Sequence, residues 1–305
     1  MKSLEPRLRT DTAWPVMVLA HNEERHIVSC LDSILAADPG HAFEIFVMAN
    51  GCSDATELIV RDYARVHRQV VLVSIALGDK CNAWNVFIHD TVPDRVPGRN
   101  VYFFMDGDAR AVPGSFSAMA SALDASPHAH AASAVPASGR NMERDRDELL
   151  QGRGLVANLY ALRGAFVNRL QRQAVRIPLK LEGDDGLIGA LIKWDLDPAH
   201  NTYDHERIVP CRDAAFEFAS MSPGRPSDWS GYWKRAVRYG RRQYEFQLLG
   251  ARLKSMGLAG LPPDISELYK QAASLPLRWD GLYTLTNWVA LNQMRRIGTD
   301  RGGGI

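Results

Sequence analysis

Two carboxylates follow directly on an apolar run near the middle of the chain. The run Val101-Tyr-Phe-Phe-Met ends in Asp106-Gly-Asp108, a pattern that indicates a buried strand delivering acidic side chains to the edge of a parallel sheet. Because residues i and i+2 of an extended segment point the same way, Asp106 and Asp108 can face one ligand together. Such a ligand would carry positive charge. The alternative is that Asp-Gly-Asp is only a polar turn that closes a strand.

A second acidic cluster opens an apolar helical segment further along the chain, in Lys180-Leu-Glu182-Gly-Asp184-Asp185-Gly. The helix dipole favours acidic residues in a first turn, so a plain N-cap explains one of these carboxylates. It does not explain three. Asp184 and Asp185 are therefore candidate functional residues.

The segments around these acids alternate between strand and helix patterns. Apolar runs at 16–20, 43–49, 70–75 and 101–105 predict strands, and helical spacing follows each of the first three. This alternation predicts a mostly parallel sheet covered by helices on both faces. Ligands of such sheets bind outside the carboxyl ends of the strands. Polar residues stand at those ends, in His21 to Glu24, Asn50 to Asp54 and Asp106 to Asp108.

The second half of the chain predicts fewer strands and more helix. We expect helices at 115–123 and 155–170, a strand at 130–137, and a strongly basic helix at 228–249 that carries Lys234, Arg235, Arg238, Arg241 and Arg242. The tail at 276–298 mixes Trp279, Tyr283 and Trp288 with a basic end, which is either ordinary packing or an amphipathic contact with a membrane.

Composition places the chain among ordinary globular proteins. Its 305 residues are 46% hydrophobic and 23% charged, with a net charge of +1, which excludes a typical nucleic-acid binder. The four cysteines form no Cys-x-x-Cys pair, which favours a reducing compartment and argues against structural zinc. Residues 1–14 lack the apolar core of a signal peptide, and no apolar run of about 18 residues occurs. These features lead us to expect a cytoplasmic protein. The alternative is a cytoplasmic protein that also contacts the membrane surface through its C-terminal tail.

The order of these features resembles family 2 glycosyltransferases with the GT-A fold, over roughly residues 14–245. Their opening Pro-x-Tyr-Asn-Glu-Glu is similar to Leu19-Ala-His21-Asn22-Glu23-Glu24, and their Gly-x-Ser-x-Asp-x-Thr loop to Gly51-Cys-Ser53-Asp54-Ala-Thr56. Gly78-Asp-Lys80-Cys-Asn82-Ala83-Trp-Asn85 loosely matches the start of their third helix.

Three later motifs extend the resemblance. The Asp-x-Asp motif is Asp106-Gly-Asp108, the acidic catalytic motif is Asp184-Asp185, and the Gln/Arg-x-x-Arg-aromatic segment is Arg235-Ala-Val-Arg238-Tyr239. The family usually has two acidic residues before its Gly-x-Ser loop, where this chain has Ala49-Asn50. An asparagine amide both donates and accepts hydrogen bonds, so Asn50 can still pair with a base.

The resemblance implies an α/β protein with a twisted, mostly parallel sheet and a mainly helical C-terminal part. Residues 14–125 would form the nucleotide-sugar half, 126–250 the acceptor and catalytic half, and 251–305 a helical extension. It further implies metal-dependent, inverting and non-processive transfer of a sugar to a saccharide, lipid-linked or small-molecule acceptor.

The implied roles fall into three groups. Asp108, with Asp106, would hold Mn²⁺ or Mg²⁺ against the diphosphate, because hard cations prefer oxygen ligands. Asp185, or its neighbour Asp184, would be the general base. The expected nucleotide-sugar contacts are Ala20, Asn22, Glu23, Asn50, Lys80, Asp106, Arg238 and Arg241.

Other functions fit the residues less well. A phosphohydrolase of the haloacid dehalogenase type also ends a strand in Asp-x-Asp, but that strand is early and a hydroxyl residue follows the motif. A dinucleotide oxidoreductase would show Gly-x-Gly-x-x-Gly after the first strand, where this chain has His21-Asn-Glu-Glu. A non-catalytic protein that binds sugar nucleotides with the same fold is the main alternative.

Overall fold

The first part of the chain alternates strands and helices as predicted. A computed structural model describes residues 12–219 and 226–300. In order, the elements are β1 (Trp14–Ala20), α1 (Ile27–Ala37), β2 (Phe43–Asn50), α2 (Thr56–Val66), β3 (Val70–Ile75), α3 (Lys80–Val86), α4 (Val92–Arg95) and β4 (Val101–Asp106). A π-helical turn, Phe87–Thr91, joins α3 to α4.

The later elements differ from the prediction at three places. They are β5 (Ala109–Ala111), α5 (Ser115–Ala125), β6 (Ala131–Pro136), α6 (Met142–Gly152), β7 (Leu159–Arg163), α7 (Gly164–Arg172), α8 (Asp184–Lys193), β8 (Ile208–Phe218), α9 (Pro226–Met256) and α10 (Thr284–Asp300). The predicted helix at 155–170 is wrong, because its first part is strand β7 and only the rest is helical. Strands β5 and β8 were not predicted.

All eight strands join one sheet, in the order β3-β2-β1-β4-β7-β6-β8-β5. The pairs β1 with β2, β1 with β4, β2 with β3 and β6 with β8 are parallel. The pairs β4 with β7, β6 with β7 and β5 with β8 are antiparallel. The predicted fold class, a mostly parallel α/β sheet flanked by helices with a helical C-terminal part, is confirmed.

Each face of the sheet is covered, because successive strand residues point to opposite sides. On β4, Phe104 packs into one core with residues of α3, α7, α8 and α9, whereas Phe103 packs into the other with α1 and α5. Both side chains have no exposed surface. Burying a phenylalanine contributes on the order of 2 kcal/mol, so this strand is firmly held on both faces.

The C-terminal helices pack on one of these faces. Tyr244 of α9 and Leu291 of α10 are buried in the same core as Phe104. Gly240 allows α10 to approach α9 closely, since a Cβ at this position would lie 2.7 Å from Oδ1 of Asn287. No helix within 12–219 and 226–300 combines the length and apolarity needed to cross a membrane.

Candidate active site

The Asp-Gly-Asp segment is fastened to the neighbouring strand rather than free. The N–H of Gly107 donates to the carbonyl of Leu19 on β1, at 2.7 Å. A Cβ at position 107 would lie 2.8 Å from that carbonyl oxygen, so only glycine allows β1 and the turn to approach this closely. Asp106, the last residue of β4, and Asp108, just beyond it, are thereby held at the carboxyl end of a central strand of the sheet.

Lys80 lies between the two acidic clusters. It is the first residue of α3, whose N-cap Asp79 accepts from the N–H of Asn82. Its Nζ is 2.9 Å from Oδ1 of Asp106 and 3.8 Å from Oδ1 of Asp184. Burial would lower the pKa of Lys80, but the carboxylates of Asp106 and Asp184 outweigh it and raise the pKa. Lys80 is therefore a permanent cation that links both acidic clusters.

The Asp184-Asp185 turn depends on the glycines at its sides. Gly183 has φ of 86°, a left-handed conformation that favours glycine. Arg242 of α9 passes across it, and a Cβ on Gly183 or on Gly186 would lie 2.4 Å or 2.6 Å from the guanidinium group. Nη2 of Arg242 is 3.2 Å from Oδ1 of Asp185. The two glycines thus make room for the cation that holds Asp185.

The two aspartates of this turn have different surroundings. Asp184 is buried, and burial raises its pKa against the opposing effect of Lys80, with a further rise from Asp185. Asp185 is less buried, with 18% of its side chain exposed, and its Oδ1 accepts from the N–H of Gly186 at 2.8 Å. Its carboxylate can therefore be reached from the cavity that both aspartates line.

Both acidic clusters line one cavity of about 540 Å³, which we call the central cavity. Its wall includes Lys80, Asp106, Asp108, Glu182, Asp184, Asp185, Arg235, Arg238, Tyr239 and Arg242. A second cavity of about 360 Å³, the sheet-edge cavity, shares Lys80, Asp106, Asp108 and Arg238 with it. Leu19, His21, Glu23 and Asn50 complete this second wall.

The structure brings Asn50 and Glu23 to the sheet-edge cavity. Asn50 is buried, and its Nδ2 donates to the carbonyl of Ala20 at 2.9 Å, which joins the ends of β1 and β2. Nδ1 of His21 lies 2.6 Å from the carbonyl of Asn50. Glu23 pairs with His26 at 3.0 Å, and burial raises its pKa against that hydrogen bond. Ala20 takes part through its backbone.

Asn22 is placed differently from its predicted role. Its φ is 59°, and its exposed side chain accepts hydrogen bonds from the N–H groups of Ser53 at 2.8 Å and Asp54 at 3.3 Å. It is absent from the walls of the two cavities. Asn22 therefore ties the loop after β1 to the loop after β2, and so shapes the site without facing it.

The basic helix sends only part of its charge into the site. Arg238 lines both cavities and Arg235 lines the central one. Arg241, also predicted as a nucleotide contact, instead lies 3.5 Å from Glu182 and donates to Gln293 of α10 at 2.8 Å. Arg242 takes the position beside Asp185 that the sequence prediction did not assign. Positions 235, 238 and 242 follow the i, i+3, i+7 spacing of one helix face, so this spacing groups Arg242 with Arg238 once Arg238 is known to face the site.

A buried carboxylate supports the segment that carries Asp184 and Asp185. Glu245 of α9 has no exposed surface, and its Oε2 accepts from the N–H of Glu182 at 2.8 Å. Its Oε1 accepts from the hydroxyl of Tyr269. Burial raises the pKa of Glu245 to about 7. Reasoning from sequence missed Glu245, because nothing in the pattern of α9 separates it from the helix's other charged residues.

The carboxylates of the site determine which metal ion it could bind. Among the residues that the structure describes, no group of three or more His, Cys, Asp or Glu side chains could hold a metal ion. Asp106 and Asp108 offer the oxygen ligands that Mg²⁺ and Mn²⁺ prefer, and Asp106 is already paired with Lys80. The donor set therefore fits a cation that takes its remaining ligands from water and a bound phosphate.

A family model now identifies the chain. The model described as glycosyl transferase family 2 matches residues 16–173, more than half of the sequence. The chain belongs to glycosyl transferase family 2. It is therefore a glycosyltransferase that acts on nucleotide sugars. The matched region contains Asp106 and Asp108 and ends before Asp184 and Asp185.

The chain is similar to several solved structures at low sequence identity. The mannosyltransferase PcManGT from Pyrobaculum calidifontis is 18% identical, with a TM-score of 0.57 over 95% of this chain and 84% of that one. TarS from S. aureus is 13% identical, with a TM-score of 0.48 over 95% and 91%. Glucosyl-3-phosphoglycerate synthase from Mycobacterium tuberculosis is 20% identical, with a TM-score of 0.49 over 76% and 79%. No curated protein matches the sequence.

Proposed function

We propose that the protein transfers a sugar from a nucleotide-diphosphate sugar to an acceptor hydroxyl, with a divalent metal ion and with inversion at the anomeric carbon. The observation that carries this proposal is the meeting of two acidic pairs in one cavity. Asp106 and Asp108 come from β4, Asp184 and Asp185 come from α8, and Lys80 links the two at 2.9 Å and 3.8 Å.

The donor occupies the sheet-edge cavity in this proposal. Asn50 and Glu23 line the part beyond β1 and β2, where the nucleoside binds, and Arg238 and Lys80 lie toward the central cavity, where they face the diphosphate. Charge-assisted hydrogen bonds from such cations suit phosphate oxygens. Ala20, Asn22 and Arg241 act indirectly, because they hold the loops and the turn that carry these contacts.

Asp108, helped by Asp106, would hold Mn²⁺ or Mg²⁺. The ion would stabilise the negative charge that develops on the departing diphosphate. The structure of PcManGT with GDP-Man and Mn²⁺ supports the presence of a metal in a protein of this fold. This chain's own contribution is a pair of oxygen ligands, and Lys80 keeps one of them, Asp106, in place.

Asp185 acts as the general base. Its carboxylate takes the proton of the acceptor hydroxyl while that oxygen bonds to the anomeric carbon, and the bond from this carbon to the diphosphate breaks. Arg242 lies 3.2 Å from Asp185 and so holds its carboxylate in one orientation. Asp184 is more buried and faces Lys80, which suits a supporting role. Attack from the face opposite the diphosphate inverts the anomeric carbon.

We assign residues 14–125 to the donor, 126–250 to the acceptor and the base, and 251–305 to a supporting helical extension, of which 301–305 lie outside the described residues. Transfer is non-processive and takes place in the cytoplasm.

A peripheral contact with membranes is also part of the proposal, and the exposed side chains of Trp279 and Leu282, at 83% and 97%, support it. Flotation with phosphatidylglycerol vesicles tests this contact, which the W279A/L282A variant should lose. Equal flotation of both proteins would contradict it.

A thermal-shift screen tests the function. UDP-, GDP- and dTDP-sugars are added with and without Mn²⁺, and we expect one donor to raise Tm only when the metal is present, since a ligand of the native state stabilises it by mass action. No metal-dependent shift with any donor would contradict the proposal. A shift without release of nucleoside diphosphate would instead identify a protein that binds sugar nucleotides without catalysis.

A further inference from the structure

The central cavity continues into an aromatic cavity between α9 and the start of α10. This aromatic cavity has a volume of about 440 Å³, and its wall carries Tyr239, Phe246 and Tyr283 together with Gln243, Asp280 and Asn287. Tyr239 and Arg242 belong to the walls of both cavities. A molecule in the aromatic cavity therefore reaches the guanidinium that holds Asp185, the proposed base.

We propose that the aromatic cavity binds a saccharide as the acceptor; this inference rests on the proposed sugar transfer. A sugar ring has C–H groups on its faces, which pack on aromatic rings, and hydroxyl groups at its edge, which need hydrogen-bond partners. Tyr239, Phe246 and Tyr283 supply the rings. The guanidinium groups of Arg235 and Arg242 lie 5.6 Å and 5.5 Å from the ring centres of Tyr239 and Phe246, so a sugar would use the other faces of these two rings. Tyr283 is 59% exposed. Gln243 and Asp280 are exposed and supply amide and carboxylate groups to the wall.

Charge argues against a phosphate group as the main feature recognised in this cavity. Among the residues that line the aromatic cavity, only Arg242 carries a positive charge. Its guanidinium group already lies 3.2 Å from the carboxylate of Asp185. Asp280 adds a negative charge to the wall. An anion would meet that carboxylate without gaining a cation of its own.

A lipid chain fits the cavity less well than a sugar. It would bury the polar groups of Gln243 and Asp280 against hydrocarbon, and an unpaired buried polar group is costly. A saccharide satisfies these groups and uses the aromatic faces at the same time. A lipid attached to such a saccharide would have to extend outside the cavity.

Acceptor kinetics with the intact protein test the inference. Donor cleavage is first measured without an acceptor, and a panel of gluco-, manno- and galacto-configured disaccharides is then added as acceptors. We expect at least one disaccharide to accelerate release of the nucleoside diphosphate and to become glycosylated. For that disaccharide, Y283A should raise the acceptor KM at least tenfold and the donor KM less than twofold, and Y283F should restore the acceptor KM.

Tyr203 provides a matched control. It is 44% exposed, against 59% for Tyr283, and lies outside the walls of the central and aromatic cavities. Y203A should leave the acceptor KM unchanged. Donor cleavage that no disaccharide accelerates, or an acceptor KM that Y283A does not change, would overturn the saccharide inference alone. Absence of donor cleavage with every nucleotide sugar would overturn the proposed function itself.

Discussion

Replacing Glu245 with glutamine should change how stability depends on pH. The folded protein holds this carboxyl without exposed surface, and burial raises its pKa from the usual 4.5 to about 7. Between these two values the unfolded chain releases the proton and the folded chain keeps it. The stabilisation that protonated Glu245 provides is therefore complete below pH 4.5 and is lost as the pH rises through 7.

The size of the effect follows from the two pKa values. At ~1.4 kcal/mol for each tenfold change, the difference between 4.5 and about 7 corresponds to about 3 kcal/mol of unfolding free energy. Most of this is lost between pH 5 and pH 8. The E245Q variant cannot ionise at this position, so it lacks this component.

Urea denaturation of the wild type and E245Q at pH 5, 6, 7 and 8 measures the component. The unfolding free energy of the wild type minus that of E245Q should fall steadily over this range. A difference that stays constant with pH, or rises, would refute the reasoning about Glu245.

Activity separates the hydrogen bonds of Glu245 from its charge. An amide oxygen in E245Q can still accept from the N–H of Glu182, whereas E245A leaves this N–H and the hydroxyl of Tyr269 without an acceptor. Each buried donor left unpaired costs about 1–3 kcal/mol. We therefore expect E245A to lower kcat at least tenfold, because the turn that carries Asp185 loosens, and E245Q to retain most activity at pH 8. Equal kcat values for the two variants would contradict a positioning role.

Three further substitutions test the site. R238A should raise the donor KM by roughly 10- to 100-fold, because phosphate contacts are lost. R241A removes contacts to Glu182 and Gln293 and should mainly lower the unfolding free energy, by about 1–2 kcal/mol. Steady-state kinetics and urea denaturation measure the two effects, and the reverse pattern would contradict the placement of these arginines. G183A should destabilise the protein by at least ~1–2 kcal/mol, because alanine is strained at a φ of 86°. G152A is the control, since a Cβ at position 152 meets nothing within 4 Å. Equal urea midpoints for the two variants would contradict backbone strain at position 183. K80A should lower kcat/KM at least ~100-fold, since it leaves the buried Asp184 without its cation. A kcat/KM within tenfold of the wild-type value would show that Lys80 is dispensable.

The strands β1 to β4 could be predicted from the sequence because they are apolar runs followed directly by polar loops. β7 could not be predicted in the same way. Leu159, Tyr160, Ala161 and Leu162 are all buried, and a short apolar run buried on both faces has no period that separates strand from helix. β8 was missed for a different reason. Pro210 and a register shift in its pairing with β6 interrupt the alternation of buried and exposed residues that marks a strand.

Residues of the candidate site could be predicted where the residue type alone suggests the chemistry. They could not be predicted where the direction of a side chain on its helix decides whether it faces the site. Asp106, Asp108, Asp184 and Asp185 could be selected because carboxylates at strand and helix ends are chemically distinctive. Arg241 and Arg242 are neighbours of the same type, and only their rotation on α9 decides which of them reaches Asp185. That rotation depends on the packing of α9 against α10, which the periodicity of an exposed basic stretch specifies only weakly.

Release of nucleoside diphosphate by the wild type and by D185N tests the central claim most directly. Both proteins are given the donor that raises Tm, an accepted disaccharide and Mn²⁺, and donor binding is measured in parallel. Loss of a general base costs about 10²–10⁴ in rate. We therefore expect D185N to bind the donor as the wild type does and to release nucleoside diphosphate at least ~100-fold more slowly. Release by D185N at the rate of the wild type would contradict the account, because the base would then lie elsewhere.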